Sequence, residues 1–295
     1  MSFLDYYNSV RHLVNDVRLV FEFNENLKGI KYYANKQGVL KEYLDSDCFV
    51  RDREQLAQNK VWLDLKNDFN KKIIVGYKDL WFFCYESVWS PSIDAIFLID
   101  TLLGKEKFGE QKIDSILDFG CGTGVMGISL AKFNQSVKSI YLLDSNKYAL
   151  YSSLINIMGN NVNCQYNVLN SLDVELNIEM GIVTPYYFPV IKDCTTNHYD
   201  KIINAGIESA NLTNMVADKV KTTYFIYSST TETQFLQSLK HNHSVIGELL
   251  VPFTLGDNVS NQQFLNTALE NDILIYKDVP QFKYWHKIYV GKIQK

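Results

Sequence analysis

Ile116-Leu117-Asp118-Phe119-Gly120-Cys121-Gly122-Thr123-Gly124-Val125-Met126-Gly127 decides the fold of this 295-residue chain. Its first four residues make a short, mostly apolar run that suits a buried parallel strand. After the glycines, Val125, Met126, Ile128, Leu130, Ala131 and Phe133 recur at helical spacing. The stretch therefore predicts a strand, a tight loop and a helix. Gly120, Gly122 and Gly124 let the backbone turn sharply and come close to a ligand, while the N–H groups opening the helix attract an anion or carboxylate. An adenosine-containing cofactor is expected there.

Two cofactors compete for the loop. Gly122, Gly124 and Gly127 spell the G-x-G-x-x-G dinucleotide fingerprint, and Asp144 follows at about the spacing of a ribose-binding acid. Against this, Asp118 lies two positions before the first glycine, where it would repel a pyrophosphate and attract an ammonium group. S-adenosylmethionine (SAM) carries an ammonium beside its carboxylate, so one loop can hold both charges. Leu117-Asp118-Phe119-Gly120-Cys121-Gly122-Thr123-Gly124 resembles the loop of the class I SAM-dependent methyltransferases, and the resemblance extends over about residues 85–295. It implies an α/β, Rossmann-like, doubly wound sheet of seven strands, with Asp118, Gly120, Cys121, Gly122, Thr123 and Gly124 around the cofactor and no metal.

Composition sets the outer limits. With 46% hydrophobic residues the chain can bury one large core, or one core plus a smaller lobe. A formal charge of −4 and a pI near 5.8 supply no global attraction to nucleic acid, although a local basic patch is compatible with both. Cys48, Cys84, Cys121, Cys164 and Cys194 form no C-x-x-C pair, so neither a zinc site nor a disulfide framework is indicated. Cys121, between glycines, reads as a small packing group. His241-Asn242-His243 has no third ligand nearby in sequence and reads as turn residues. Met1-Ser2-Phe3-Leu4-Asp5 lacks the features of a signal peptide and no stretch has the apolar length of a membrane span, so a cytoplasmic protein is expected.

Ahead of the loop, Tyr6, Val10, Leu13, Val14 and Val17 predict an amphipathic helix from Tyr6 to about Val20. The short runs Leu19–Phe23, Ile30–Tyr33, Val61–Leu65 and Ile73–Tyr77 follow, so residues 1–85 read as a small mixed accessory lobe and 86–295 as the main domain. Residues 80–91 are rich in aromatics, as interlobe packing would require. The resemblance adds a second reading. Trp89-Ser90-Pro91 followed by Asp94 is similar to the aromatic segment that amide and nucleic-acid methyltransferases place beside the cofactor, which would set Trp89 and Ser90 near the methyl group. A helix is expected from Ser92 to Leu103.

Beyond the loop, Ser139 to Asp144 reads as the second strand, Ser145-Asn146 as the start of a long helix to Gly159, and Cys164 to Leu169 as the third strand. Asp144 is either the acid that accepts two hydrogen bonds from the ribose, as the resemblance implies, or part of a helix cap near Asn146. The family's adenine-binding acid is replaced here by Asn170-Ser171, whose amide oxygen can accept the same hydrogen bond. Leu172 to His198 reads as a long binding loop, and Tyr199–Asn204, Thr223–Tyr227, Val245–Phe253 and His286–Lys292 complete the seven strands.

That count puts Asn204 at the end of the fourth strand, where amino-methylating relatives carry Asn-Pro-Pro-Tyr to align the acceptor amine. Asn204 is thus the expected catalytic residue, with Tyr186 or Tyr187 supplying an aromatic wall. Thr184-Pro185-Tyr186-Tyr187 looks more like the motif but would leave one strand too many. The expected activity is methyl transfer from SAM to a nitrogen or oxygen of a small molecule or protein. RNA is the alternative acceptor, disfavoured by net charge, and a SAM-binding module without turnover is the third reading.

Overall fold

The computed structural model describes residues 1–14, 17, 19–23, 30–36, 39–40, 72–85, 87–91, 93–172, 177–185, 198–229, 231–254, 275–276 and 283–295. The chain forms two compact units, Met1–Ile182 and Val183–Lys295. The expected N-terminal lobe and the glycine loop both lie in the first. The Val61–Leu65 run and residues Tyr186 and Tyr187 fall outside the described residues.

Helix α1 spans Phe3–Val10, shorter than the predicted Tyr6–Val20. A capping box sets its start: Ser2 Oγ accepts from Asp5 N at 3.2 Å, and Asp5 Oδ2 accepts from Ser2 N at 3.2 Å. The valines that suggested a longer helix are nonetheless core residues, with Val10, Val14 and Val17 all at 2% exposure or less. Strands β1 (Leu19–Phe23), β2 (Ile30–Lys36), β3 (Val39–Leu40), β4 (Ile73–Tyr77) and β5 (Leu80–Cys84) form a sheet in the order β3-β2-β1-β4-β5. Lys78 and Asp79, both left-handed, make the two-residue turn between β4 and β5, a geometry that matches strand twist. Tyr77 and Lys78 both engage Asp100 of helix α2 (Ile93–Gly104).

The glycine stretch folds as predicted: β6 (Ser115–Phe119), the loop, then α3 (Val125–Phe133). Next come β7 (Ser139–Leu143), α4 (Lys147–Gly159), β8 (Gln165–Leu169) and β9 (Ile178–Val183). Their order is β9-β6-β7-β8, with β6, β7 and β8 parallel.

Helix α4 also closes the edge of the N-terminal sheet. Ser152 Oγ accepts from Tyr85 N at 3.0 Å. Asn156 accepts from Phe83 N at 2.7 Å and donates to Phe83 O at 2.9 Å. Asn160 does the same to Trp81, at 2.9 and 2.7 Å. Four helical residues rise about 6 Å and two strand residues about 6.8 Å, so side chains at i, i+4 and i+8 meet alternate residues of an antiparallel strand. The exposed ladder of an edge strand is thereby satisfied by a helix.

The second unit contains α5 (His198–Ala217), β10 (Val220–Ser228), α6 (Glu232–Ser238), β11 (Ser244–Thr254), the short β12 (Ile275–Tyr276) and β13 (Lys283–Gln294). β13 pairs antiparallel with β10, β11 and β12. Within this unit the strand order is β11-β13-β10, with β12 beside β13.

One of the seven predicted strands was misplaced. Tyr199–Asn204 opens α5, while the fourth strand is β9, inside the expected loop. Ile202-Ile203 is too short a run to separate strand from helix. Length decides: buried Gly206, Ser209, Ala210, Thr213, Asn214 and Ala217 continue one helical face. β9 was obscured by Glu179 and Gly181. Glu179 Oε2 accepts from Asp114 N at 2.6 Å, so its carboxylate is spent beside the start of β6.

Candidate cofactor site

The loop after β6 is fixed from behind. Gly120 N and Cys121 N both donate to Leu143 O at the end of β7, at 2.8 and 2.9 Å. Gly120, Gly122 and Gly124 all have positive φ, at 71°, 53° and 74°. Among the described residues, an added Cβ at Gly120 would meet nothing within 4 Å, and at Gly122 only Trp89 O at 3.8 Å. Among those residues, then, the space in front of both glycines is open, the room a bound cofactor needs. Gly127 serves packing instead, since a Cβ there would lie 3.1 Å from Asp118 Cβ and its absence lets α3 pack close on β6.

Asp144 is held at the start of α4, where the helix-cap reading places it. Oδ2 accepts from Gly122 N at 2.9 Å and Oδ1 from Asn146 N at 2.8 Å, so one carboxylate ties the loop to the start of α4. Each oxygen retains acceptor capacity for a ribose diol. Asn146 itself caps α4 through Tyr148 N and donates to Ser87 O at 2.8 Å. Ser145, Asn170 and Ser171 are exposed, and Asp144 N donates to Leu169 O at 3.3 Å, which brings the end of β8 beside Asp144.

Asp118 is 1% exposed and accepts from Gly127 N at 2.9 Å. Burial raises its pKa to about 7, opposed by the Gly127 N–H and reinforced by the charge of Asp144. Cys121 is buried, and burial followed by the charges of Asp118 and Asp144 pushes its thiol well above the usual range. A protonated thiol there is a packing group, not a nucleophile. Thr123 is buried at 2% exposure. The backbone of Trp89 passes close to Gly122, with Trp89 O at 3.8 Å from a Cβ built there, and its side chain is 38% exposed.

Asn204 does not stand at a strand end. It is an exposed residue of α5, so the geometry that made it a catalytic candidate is absent. The residues that follow the true fourth strand are Thr184 and Pro185, half-buried and buried, ahead of Tyr186 and Tyr187. His241 pairs with Asp218 at 3.1 Å, and His243 lies against the rings of Phe225 and Tyr227. Among the described residues no group of three or more His, Cys, Asp or Glu converges, and no helix is long and apolar enough to cross a membrane.

A surface that the sequence reading passed over lies at the first turns of α4. The ring of Tyr148 stacks on that of Tyr85 at 5.0 Å and 5°, and Tyr151 meets Tyr85 edge-on at 6.0 Å. Lys72 Nζ sits 5.1 Å from the Tyr85 ring and Lys147 Nζ 5.0 Å from that of Tyr148. Tyr148 and Tyr151 are 40% and 45% exposed. Tyr148 and Tyr151 are neighbours on one helix face, but Tyr85 is far from them in sequence, and only the packing of α4 along β5 brings it beside them.

Residues 95–185 match the family model of the Methyltransferase small domain. No curated protein matches the chain. Among solved structures it is similar to a Pyrococcus abyssi tRNA (uracil-54, C5)-methyltransferase in complex with S-adenosyl-L-homocysteine, at 14% identity over 75% of this chain and 44% of that one, TM-score 0.42. It is also similar to a T. thermophilus 16S rRNA N2 methyltransferase in complex with AdoMet and guanosine, at 10% identity over 73% and 47%, TM-score 0.45. An M. jannaschii tRNA methyltransferase matches at 13% identity over 76% and 55%, TM-score 0.44. The chain spans about half the length of these proteins.

Proposed function

We propose that the protein transfers a methyl group from SAM to a base of RNA. The cofactor part rests on the glycine loop, with open space before Gly120 and Gly122 and a carboxylate at each side. In this reading Asp144 takes the ribose, and the helix N-terminus at Gly124 faces the cofactor's carboxylate. Asp118 places negative charge beneath the ammonium, while Asn170 and Ser171 at the end of β8 take the adenine edge. SAM brings an activated methyl group, so what remains for the chain is to hold donor and acceptor in line and exclude water. In this reading the acceptor-aligning role expected of Asn204 passes to Thr184-Pro185-Tyr186-Tyr187, which follow β9 in sequence.

The acceptor is carried by one observation, the exposed tyrosines 148 and 151 flanked by Lys147 and Lys72 at the mouth of α4. Aromatic faces accept any unstacked base, and adjacent cations meet its phosphates. The proteins compared above act on tRNA and rRNA. For this chain the preference for RNA over a small molecule or protein rests instead on its own surface.

The test offers methyl-labelled SAM and the protein to the RNA, protein and small-molecule fractions of a cell extract. Nuclease-sensitive label is expected. Protease-sensitive or dialysable label would replace the acceptor and keep the transferase. SAM binding with no label in any fraction would leave a binding module.

A further inference from the structure

Asn156 is a buried amide in the middle of α4, at 0% exposure, with all four hydrogen-bonding positions occupied. Its Oδ1 accepts from Tyr6 OH at 2.6 Å and from Phe83 N at 2.7 Å. Its Nδ2 donates to Phe83 O and to Thr123 O, each at 2.9 Å. Those partners come from three places far apart in sequence: the N-terminal helix, the edge strand of the N-terminal sheet, and the glycine loop. An amide has two lone pairs and two protons, so no member can leave without stranding a buried polar group.

The contact with Thr123 O acts on the part of the loop that has least stiffness of its own. The peptide plane joining Thr123 to Gly124 is held at both ends, by Asn156 at the carbonyl and by Gly124 N donating to Cys121 O at 2.7 Å. Glycine accepts either sign of φ, so without the carbonyl anchor that plane can rotate and carry Gly124 out of its present φ of 74°. The anchor is itself oriented from the other side. Tyr6 OH donates to Asn156 and also accepts from Phe83 N at 3.1 Å. Tyr6 can lie this close to α4 because residue 159 is glycine: a Cβ there would fall 2.3 Å from the Tyr6 ring and 2.8 Å from Val10. Tyr6, Val10, Phe83 and Ile155 belong to one buried cluster, so helix α1, strand β5 and helix α4 share a core.

We infer that Asn156 is a positioning residue for the cofactor loop, through which Tyr6 of the N-terminal helix and strand β5 set the affinity for SAM. The N-terminal lobe is then part of the cofactor-binding apparatus as well as a neighbour of it. By linkage the effect runs both ways, so SAM on the loop stabilises the hydrogen bonds of Phe83 and Trp81. This inference rests on the reading that the loop takes SAM, and its test includes a measurement made without the cofactor.

Three variants of the full chain decide it. Tyr6→Phe removes one hydroxyl, Asn156→Asp keeps the acceptor but loses both donated bonds, and Val10→Ala loosens the same core without touching the network. Titration calorimetry should show SAM affinity about five- to tenfold weaker for Tyr6→Phe and at least as weak for Asn156→Asp, with Val10→Ala close to wild type despite a lower melting temperature. In the cofactor-free protein, amide exchange at Gly122 and Gly124 should quicken in the first two variants and not in the third. If Val10→Ala weakens SAM as much as Tyr6→Phe at equal loss of stability, the effect is ordinary destabilisation and the inference is overturned. Unchanged loop exchange in Tyr6→Phe and Asn156→Asp overturns it too. A wild type that ignores SAM overturns the proposed function, while the exchange measurement still decides the positioning role.

Discussion

Asp118 gives the loop a pH dependence whose sign can be worked out. Its folded pKa of about 7 lies above the ordinary carboxylate value, mainly through burial. The folded state therefore holds a proton that the unfolded chain releases, and this stabilising contribution is complete below about pH 4 and lost as pH rises through about 7. The cofactor-free protein should melt at progressively lower temperature between pH 5 and pH 8, and Asp118→Asn should flatten that slope. SAM affinity should change in the opposite direction, rising through pH 7 as the carboxylate ionises beneath the ammonium. A melting profile identical in the two proteins would remove Asp118 as the titrating group. Gly122 offers a second residue-level test. A methyl group there meets open space apart from Trp89 O at 3.8 Å, so Gly122→Ala costs the fold only the strain of a φ near 53°, about 1 kcal/mol. Its cost to the cofactor is larger because the methyl occupies the ligand's approach. A small drop in melting temperature with SAM affinity reduced at least about tenfold is expected. Normal binding would mean that the cofactor does not lie against this loop.

Helices α4 and α5 show what a pattern of residue types conveys and what it leaves out. α4 was legible as a helix because its apolar positions and its Gly159-Asn160 stop were plain in the sequence. Its ladder was not. Ser152, Asn156 and Asn160 recur at four-residue spacing, and only the tertiary fold reveals that all three are buried against the backbone of Trp81, Phe83 and Tyr85. The glycine loop was readable in full because its chemistry is local: strand, turn and helix follow one another without a gap. α5 and β9 were exchanged in the reading for the opposite reason, since each depends on partners distant in sequence. Glu179 is accommodated in a strand because Asp114 N meets its carboxylate and Ser115 Oγ accepts from its backbone N. The correction at Asn204 is testable. An exposed position within a helix gains slightly from alanine, so Asn204→Ala should keep or raise the melting temperature by a few tenths of a kcal/mol equivalent and leave turnover unchanged. Loss of turnover with intact SAM binding would restore Asn204 to the acceptor site by a route that the helix does not suggest.

If the acceptor is RNA, as proposed, net charge constrains how the chain approaches it. A chain of formal charge −4 is not drawn to a polyanion at long range, so affinity must come from a small surface where stacking outweighs ion pairing. The surface at Tyr148 and Tyr151 has that character, with Lys72 and Lys147 as its cations beside the rings of Tyr85 and Tyr148. Each phosphate neutralised on a single strand contributes about −0.7 to the slope of log affinity against log salt. Two lysines therefore predict a shallow slope, about −1.4. Lys147→Ala should reduce its size by about half, while Tyr148→Ala should lower affinity at every salt concentration and leave the slope alone. Neither change should alter SAM binding, because neither side chain anchors the loop. Titrations with a short single-stranded RNA between low and moderate salt measure all of these quantities. A slope several times steeper, unaffected by Lys147→Ala, would place the phosphate contacts on another face of the protein and withdraw the tyrosine surface as the acceptor platform.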